Sequence, residues 1–225
     1  MPEDAQELQR IYRQRFAQTA AYRQRVWEVL VSAFFQRWIS PTASVLDLGC
    51  GYGEFINQVR AQEKLAMDLN PDASRYLQAD VQFLHQDCSQ PWPLPENCLD
   101  IVFTSNFFEH LPDKECLKLT LRQARRCLKP GGQLLVMGPN IKYLPGEYWD
   151  FFDHHTILTE ASLAEVLEME GYRVDQVTAR FLPYTLVNSP QYPLLLLRLY
   201  LALPWLWRIK GRQFFVVASK PAVVA

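Results

Sequence analysis

The sequence lacks an excess of either charge. Its 225 residues carry 23 basic and 24 acidic side chains, which gives a formal net charge of -1. Domains that bind nucleic acid through their surface charge usually carry a basic surplus, so we expect no nucleic-acid partner. The sequence also lacks a run of like charges that would predict a disordered tail. Hydrophobic residues make up 49% of the chain, enough for a substantial core in one domain.

The sequence has few cysteines and no export signal. The five cysteines are odd in number and form no C-x-x-C pair, which excludes a zinc ribbon and argues against a disulfide framework. The N-terminal MPEDAQELQR is acidic and lacks the apolar segment of a secretory signal. We therefore expect reduced thiols, no metal site and a cytoplasmic location.

Short apolar runs alternate with helical stretches along most of the chain. Helices are predicted at 54–62, 72–79, 113–128 and 159–171. Strands are predicted at 45–49, 64–69, 81–87, 99–106, 133–138, 172–182 and 212–220. This alternation predicts an α/β fold with a doubly wound, mostly parallel sheet of seven strands.

One domain, 1–225, is expected to contain a core and two additions. Residues 5–39 have apolar side chains at helical spacing, which predicts an N-terminal helical cap over 1–40. The core comprises 41–182 and 212–220. Residues 183–211 form an apolar, helical insertion before the last strand.

The loop VLDLGCGYGEF (45–55) joins the first strand to the segment after it. Gly49, Gly51 and Gly53 allow a tight turn and a close approach of the backbone to a ligand. A dinucleotide fingerprint needs glycine at position 54, but Glu54 stands there, and its carboxylate would repel a pyrophosphate. The loop therefore favours a ligand with a cationic or zwitterionic group.

These residues resemble the class I, seven-strand S-adenosylmethionine-dependent methyltransferases. VLDLGCGYG matches their D/E-x-G-x-G-x-G signature at Asp47, Gly49, Gly51 and Gly53, and LKPGGQLLV (128–136) resembles their turn into the fifth strand. The resemblance implies that S-adenosylmethionine is the cofactor. It also implies cofactor contacts after the next three strands: the ribose at Asp68 and Leu69, the adenine at Asp87 and Cys88, and the methionine portion at Asn106. Whether Asp47 contacts the cofactor or caps amides of the turn stays open.

Transfer of a methyl group to a protonated oxygen or nitrogen needs a general base. His154 and His155 follow the fifth strand, where an open α/β sheet places its ligand crevice, and Asp153 could orient one of them. We predict that one of the two is the base, with His154 preferred, although both could be structural. Glu109-His110 is a second candidate pair, which similar methyltransferases often use in a structural or indirect role.

The acceptor is expected to be a small molecule. The fourth strand ends in Ser105-Asn106-Phe107-Phe108, not in the N-P-P-Y of enzymes that methylate bases or glutamine side chains. The segments YWDFFDHHTILTEASL and PLLLLRLYLALP resemble bacterial methyltransferases of glycan or lipid biosynthesis, which implies a hydrophobic, lipid-linked or glycan-linked acceptor.

The apolar insertion has more than one interpretation. Residues 194–207 are too few to span a bilayer, which takes ~20 residues. They could pack on protein, as a lid or homodimer contact, or lie in the plane of the inner membrane face. A non-catalytic S-adenosylmethionine-binding or membrane-associated module is the alternative to an enzyme.

Overall fold

The computed structural model describes residues 20–184 and 191–222. Its strands are β1 (Ser44–Leu48), β2 (Glu63–Asp68), β3 (Val81–His85), β4 (Leu99–Ser105), β5 (Leu128–Pro139), β6 (Arg173–Thr178) and β7 (Gln213–Ser219). Its α-helices are α1 (Ala20–Ala33), α2 (Lys114–Cys127), α3 (Glu160–Met169), α4 (Leu194–Ala202) and α5 (Pro204–Lys210). Short 3-10 helices lie at Phe35–Trp38, Pro71–Tyr76, Phe108–His110, Ile141–Tyr143 and Glu147–Asp150.

All seven strands form one sheet in the order β3-β2-β1-β4-β5-β7-β6. The first five strands pair in parallel, whereas β7 runs antiparallel to both β5 and β6. The strand order reverses between β1 and β4, so a crevice opens there at the carboxyl ends of the strands. This topology confirms the predicted mostly parallel, seven-stranded α/β fold.

The two faces of the sheet have separate hydrophobic cores. Successive strand residues point to opposite faces, so Val45 belongs to one core and Leu46 to the other. Helices α1, α4 and α5 cover the first core, whereas α2 and α3 cover the second. The helix α3 begins at Glu160, one residue after the predicted start, and Thr159 is its N-cap, whose side chain forms a reciprocal capping box with Ser162.

Two predicted helices in the first half of the chain are wrong in detail. Residues 51–58 form consecutive turns instead of the expected helix over 54–62. Backbone amides there donate to carbonyls either three or four residues earlier, so the regular hydrogen bonding of an α-helix does not develop. The Asn57 side chain also binds the backbone of Tyr76 and Gln78. The predicted helix at 72–79 is the 3-10 helix Pro71–Tyr76, started by Asn70, whose side chain accepts a hydrogen bond from Asp72.

The N-terminal cap and the insertion are partly described. The start of the predicted helix 5–39 lies outside the described residues, and its end is earlier than expected, at Ala33. The side chain of Gln36 binds the backbone of Ile39 and Arg60, which holds a separate 3-10 turn there. Within 183–211, residues 185–190 lie outside the described residues, and Pro204 starts a second helix after α4.

Candidate functional site

The predicted cofactor residues gather at the carboxyl ends of β1, β2 and β4. The amide of Gly49 donates to Met67 of β2 at 2.9 Å, and the amide of Gly51 donates to the Asp68 carboxylate at 2.8 Å. Asn106 follows β4, the neighbour of β1 on its other side. The glycine loop and these two strand ends therefore form one continuous edge.

The glycine loop requires glycine for both conformation and space. Gly49, Gly51 and Gly53 have φ angles of 71°, 52° and 70°, a region that other residues rarely adopt. A Cβ atom on Gly49 would lie 2.3 Å from the Phe107 ring, and one on Gly53 would lie 2.6 Å from Leu77. Phe107, which sequence analysis did not single out, thus packs directly against the loop.

Asp47 is buried beneath this loop. Only 4% of its surface is exposed, and an interaction with the backbone amide of Ile56 opposes the effect of burial on the pKa of its carboxyl group. Burial raises the pKa of Asp47 well above its usual range, and the nearby carboxylate of Glu54 raises it further. Of the two roles left open for Asp47, this contact supports binding of turn amides.

Asp68 connects the loop to the end of β2. One oxygen of its carboxylate accepts from Gly51 and the other accepts from the amide of Asn70, both at 2.8 Å. Burial raises the pKa of Asp68, and these amide bonds partly offset the effect. Each carboxylate oxygen has a second acceptor direction, which a ribose hydroxyl can use. Leu69, beside it, is 44% exposed, and its carbonyl lies 3.0 Å from a His85 ring nitrogen.

Asp87 and Cys88 form a separate group after β3. Asp87 accepts hydrogen bonds from the amide and the hydroxyl of Ser89. The Cys88 carbonyl accepts from the Trp92 indole at 2.9 Å, and its buried thiol contacts the Thr120 hydroxyl. These contacts fix the backbone at the position that the resemblance assigns to adenine.

Asn106 is the residue whose environment most clearly calls for a ligand. Its φ angle of 49° is unusual for a residue other than glycine and is the kind of local strain found at functional sites. Its Oδ1 atom is buried and has no hydrogen-bond partner within the described chain. A buried acceptor without a donor is unfavourable. The ammonium group of a methionine-like ligand would supply that donor, so these residues fit the implied cofactor.

Glu54 has a partner that the sequence did not reveal. Arg23 of α1 forms an ion pair with it at 2.9 Å. Arg23 offsets the negative charge of Glu54, so the repulsion that Glu54 would exert on a pyrophosphate is weaker than the sequence indicates. The case for the cofactor therefore depends on Asp68, Asn106 and the glycine loop.

The two pairs of residues that the sequence suggests as the general base lie close together in one cluster. His110 Nδ1 lies 3.1 Å from the Asp153 carboxylate and 3.1 Å from the Asp153 carbonyl oxygen. The rings of His110 and His154 lie 5.0 Å apart, and Tyr148 and Phe151 contact the His154 ring. Glu109, His110 and His154 each place one polar atom within 4.8 Å of the others, a spacing that could hold a cation.

Hydrogen bonding determines which nitrogen of His154 is basic. Its Nδ1 lies 2.9 Å from the Tyr148 carbonyl oxygen, which can only accept, so Nδ1 carries the hydrogen. In the neutral ring, Nε2 then carries the basic lone pair. Burial raises the pKa of Glu109 to about 7. Burial lowers the pKa of His110, but Asp153 and Glu109 outweigh it and the net pKa is raised.

His155 lies in a different environment from its neighbour. It is exposed, whereas only 7% of His154 is exposed. The backbone amides of His155 and Thr156 both donate to the Glu109 carbonyl, which ties this segment to the end of β4. The buried Tyr148 hydroxyl donates to the Thr156 carbonyl at 2.8 Å and fixes the same segment from the other side.

Comparison with known proteins identifies the family. A model of the methyltransferase domain matches residues 19–177, which include the glycine loop, Asp68, Asn106 and the histidine cluster. The chain belongs to this methyltransferase-domain family. The match confirms the predicted methyltransferase family, whose implied cofactor is S-adenosylmethionine.

Two curated relatives are similar over part of their length. An uncharacterised protein of Methanocaldococcus jannaschii is 28% identical over 149 residues, 65% of this chain and 62% of that protein. Methyltransferase str3 of Strobilurus tenacellus is 31% identical over 96 residues, 41% of this chain and 34% of that protein. The methyltransferase therefore spans less than two thirds of either relative.

Solved structures share its fold at low sequence identity. An S-adenosylmethionine-dependent methyltransferase of Archaeoglobus fulgidus aligns with a TM-score of 0.66 and 20% identity, covering 91% of this chain and 99% of that one. The 4+2 cyclase SpnF aligns with a TM-score of 0.59 and 19% identity, covering 88% and 81%. One fold thus serves different reactions, so the acceptor must be inferred from the site.

Proposed function

We propose that this methyltransferase transfers the methyl group to an oxygen or nitrogen atom of a small, hydrophobic acceptor, with His154 as the general base. The observation that carries the proposal is a pair of exposed aromatic side chains beside the histidine cluster. Trp149 is 55% exposed and Phe152 is 96% exposed, and both lie within five residues of His154 in the chain. Large apolar side chains that face solvent next to polar chemistry are typical of a ligand site.

Different residues of the site have different roles in the proposed reaction. S-adenosylmethionine supplies an electrophilic methyl group. The glycine loop, Asp68 and Asn106 would hold it at the carboxyl ends of β1, β2 and β4. Nε2 of His154 would accept the proton of the acceptor hydroxyl or amine as the new bond to the methyl carbon forms. The carboxyl group of Glu109, which lies within 4.8 Å of His154, would stabilise the charged ring when it is ionised, and the Asp153 carboxylate would offset the charge of His110.

The environment of the acceptor supports a hydrophobic molecule. Phe151 stacks on His154 and also contacts the Tyr184 ring at 6.2 Å, at the start of the insertion. Arg212, which follows α5, forms an ion pair with Glu147 in the same segment. The acceptor side of the site is therefore connected to the most apolar part of the chain, which supports a lipid-linked acceptor.

The experiment is transfer of radiolabelled methyl groups into an extract of the source cells, followed by separation into lipid-soluble, water-soluble small-molecule, protein and nucleic-acid fractions. We expect the label in the lipid-soluble fraction with the wild-type protein and little label with His154→Asn. His155→Asn is the matched control and should retain transfer. Label confined to protein or nucleic acid would contradict the proposed acceptor, and equal loss in both variants would contradict the choice of base.

A further inference from the structure

The C-terminal part of the chain is basic, although the chain as a whole is nearly neutral. No aspartate or glutamate follows Asp175. The same stretch contains six basic residues: Arg180, Arg198, Arg208, Lys210, Arg212 and Lys220. A segment of one sign attracts a partner of the opposite sign.

Helices α4 and α5 are held firmly against the core by one of their faces. Leu201 and Trp207 are buried in the core that α1 covers, and Leu197 packs against it. The Trp207 indole donates to the Tyr200 carbonyl at 2.8 Å, which joins the two helices. The pair is therefore a fixed structure whose outer face has a defined orientation.

That outer face is also apolar. Leu195, Leu199 and Leu203 are four residues apart and are 65%, 50% and 38% exposed. This spacing places them on one side of α4, opposite the buried Leu201. Trp205 and Ile209 of α5 are 59% and 57% exposed. Clustered exposed apolar side chains of this size mark a surface that contacts something else, so this face needs a covering.

The exposed cations favour an anionic lipid surface over a second copy of the chain as the partner of this face. Arg198, Arg208 and Lys210 are exposed and form no ion pair within residues 20–184 and 191–222. Pairing this face with the same face of a second copy would bring both sets of cations together. An anionic lipid surface instead offers hydrocarbon for the leucines and negative charge for the cations.

The helices have the dimensions of an interfacial element. No helix among the described residues is long and apolar enough to cross a membrane. The helix α4 has 9 residues and α5 has 7. At ~1.5 Å per residue each is much shorter than the hydrocarbon core of a bilayer, so both would lie along its surface. Tryptophan and basic side chains such as Trp205 and Arg208 are favoured at the headgroup level.

From this combination of apolar exposure, basic charge and short helices, we infer that the outer face of α4 and α5 docks the methyltransferase on an anionic bilayer surface. The inference does not depend on the identity of the acceptor. A protein docked in this way would still bind lipid if the proposed acceptor were wrong.

The test is flotation of the full chain with vesicles of phosphatidylcholine alone and of phosphatidylcholine mixed with phosphatidylglycerol. We expect flotation with the mixed vesicles, reduced flotation with phosphatidylcholine alone, and at least a tenfold loss of vesicle partitioning in a Leu199→Ser/Trp205→Ser variant. Met169→Ser is the matched control, because Met169 of α3 is 66% exposed and lies on the opposite side of the sheet. Thermal melting checks that both variants are folded.

Two outcomes would overturn the inference. The first is that the wild-type protein stays in solution with both kinds of vesicle, or that the Leu199→Ser/Trp205→Ser variant floats with them as well as the wild type does. The second is a dimer in analytical ultracentrifugation that Leu199→Ser/Trp205→Ser dissociates, because the face would then be covered by a second copy.

Discussion

The clearest consequence of the site geometry concerns Asp68. Its carboxylate holds the amides of Gly51 and Asn70, both at 2.8 Å, and is the expected partner of the cofactor ribose. Asp68→Ala removes all of these contacts. A hydrogen bond to a charged group contributes ~1.5–3 kcal/mol, and part of that loss also falls on the free protein. We therefore expect cofactor affinity to fall by ~1–3 kcal/mol, a factor of about 5–150.

Calorimetric titration with S-adenosylhomocysteine measures this change directly. Asp72→Ala is the matched control, because it removes a carboxylate from the same segment. Within the described residues, this carboxylate forms an ion pair with Arg75 at 3.2 Å and accepts no hydrogen bond from the glycine loop. The control should bind like the wild type. Unchanged affinity in Asp68→Ala, with the protein folded, would refute the assignment of the end of β2 to the ribose.

Three further outcomes are expected. His154→Asn keeps a donor for the Tyr148 carbonyl but lacks the basic nitrogen, so turnover should fall by ~10²–10⁴ while S-adenosylhomocysteine affinity stays unchanged; full turnover would exclude His154 as the base. In the folded state Glu109 has a pKa of about 7, whereas an ordinary glutamate has a pKa of 4.5. Between these pH values the folded state binds more protons than the unfolded state, so the free energy of unfolding should decrease as the pH rises. Glu109→Gln should remove much of this decline, on the order of 3 kcal/mol at most, as measured by urea unfolding between pH 5 and 8; an identical pH profile would contradict the buried carboxyl. Chelation with EDTA should leave methyl transfer unchanged, because a histidine base needs no ion; loss of activity that a divalent cation restores would reassign Glu109, His110 and His154 to a metal.

The sequence predicted the strands and the cofactor loop better than it predicted the helices around them. Strand positions follow from short apolar runs, and glycines with positive φ leave a direct signal in the sequence. The helix expected at 54–62 failed because Asn57 binds the backbone of Tyr76 and Gln78, which lie about 20 residues away. Contacts at that separation are not visible in local periodicity.

The histidine cluster was also predicted only in part, because the sequence indicated its members but not that they lie together. Sequence position identified His154 and Glu109-His110 as separate candidates, since 43 residues separate His110 from Asp153. Only the parallel pairing of β4 with β5 brings the two segments to one edge of the sheet. The ion pair between Arg23 and Glu54 was equally hidden, because α1 reaches the glycine loop through tertiary packing.

A crystal structure with S-adenosylhomocysteine bound would test the central claim most directly. We expect the ribose at Asp68, the adenine near Asp87, the amino group of the ligand within hydrogen-bond distance of Asn106 Oδ1, and the sulfur facing His154 across a gap that fits one acceptor atom. A ligand bound away from the glycine loop, or a sulfur atom that faces away from His154, would contradict the account.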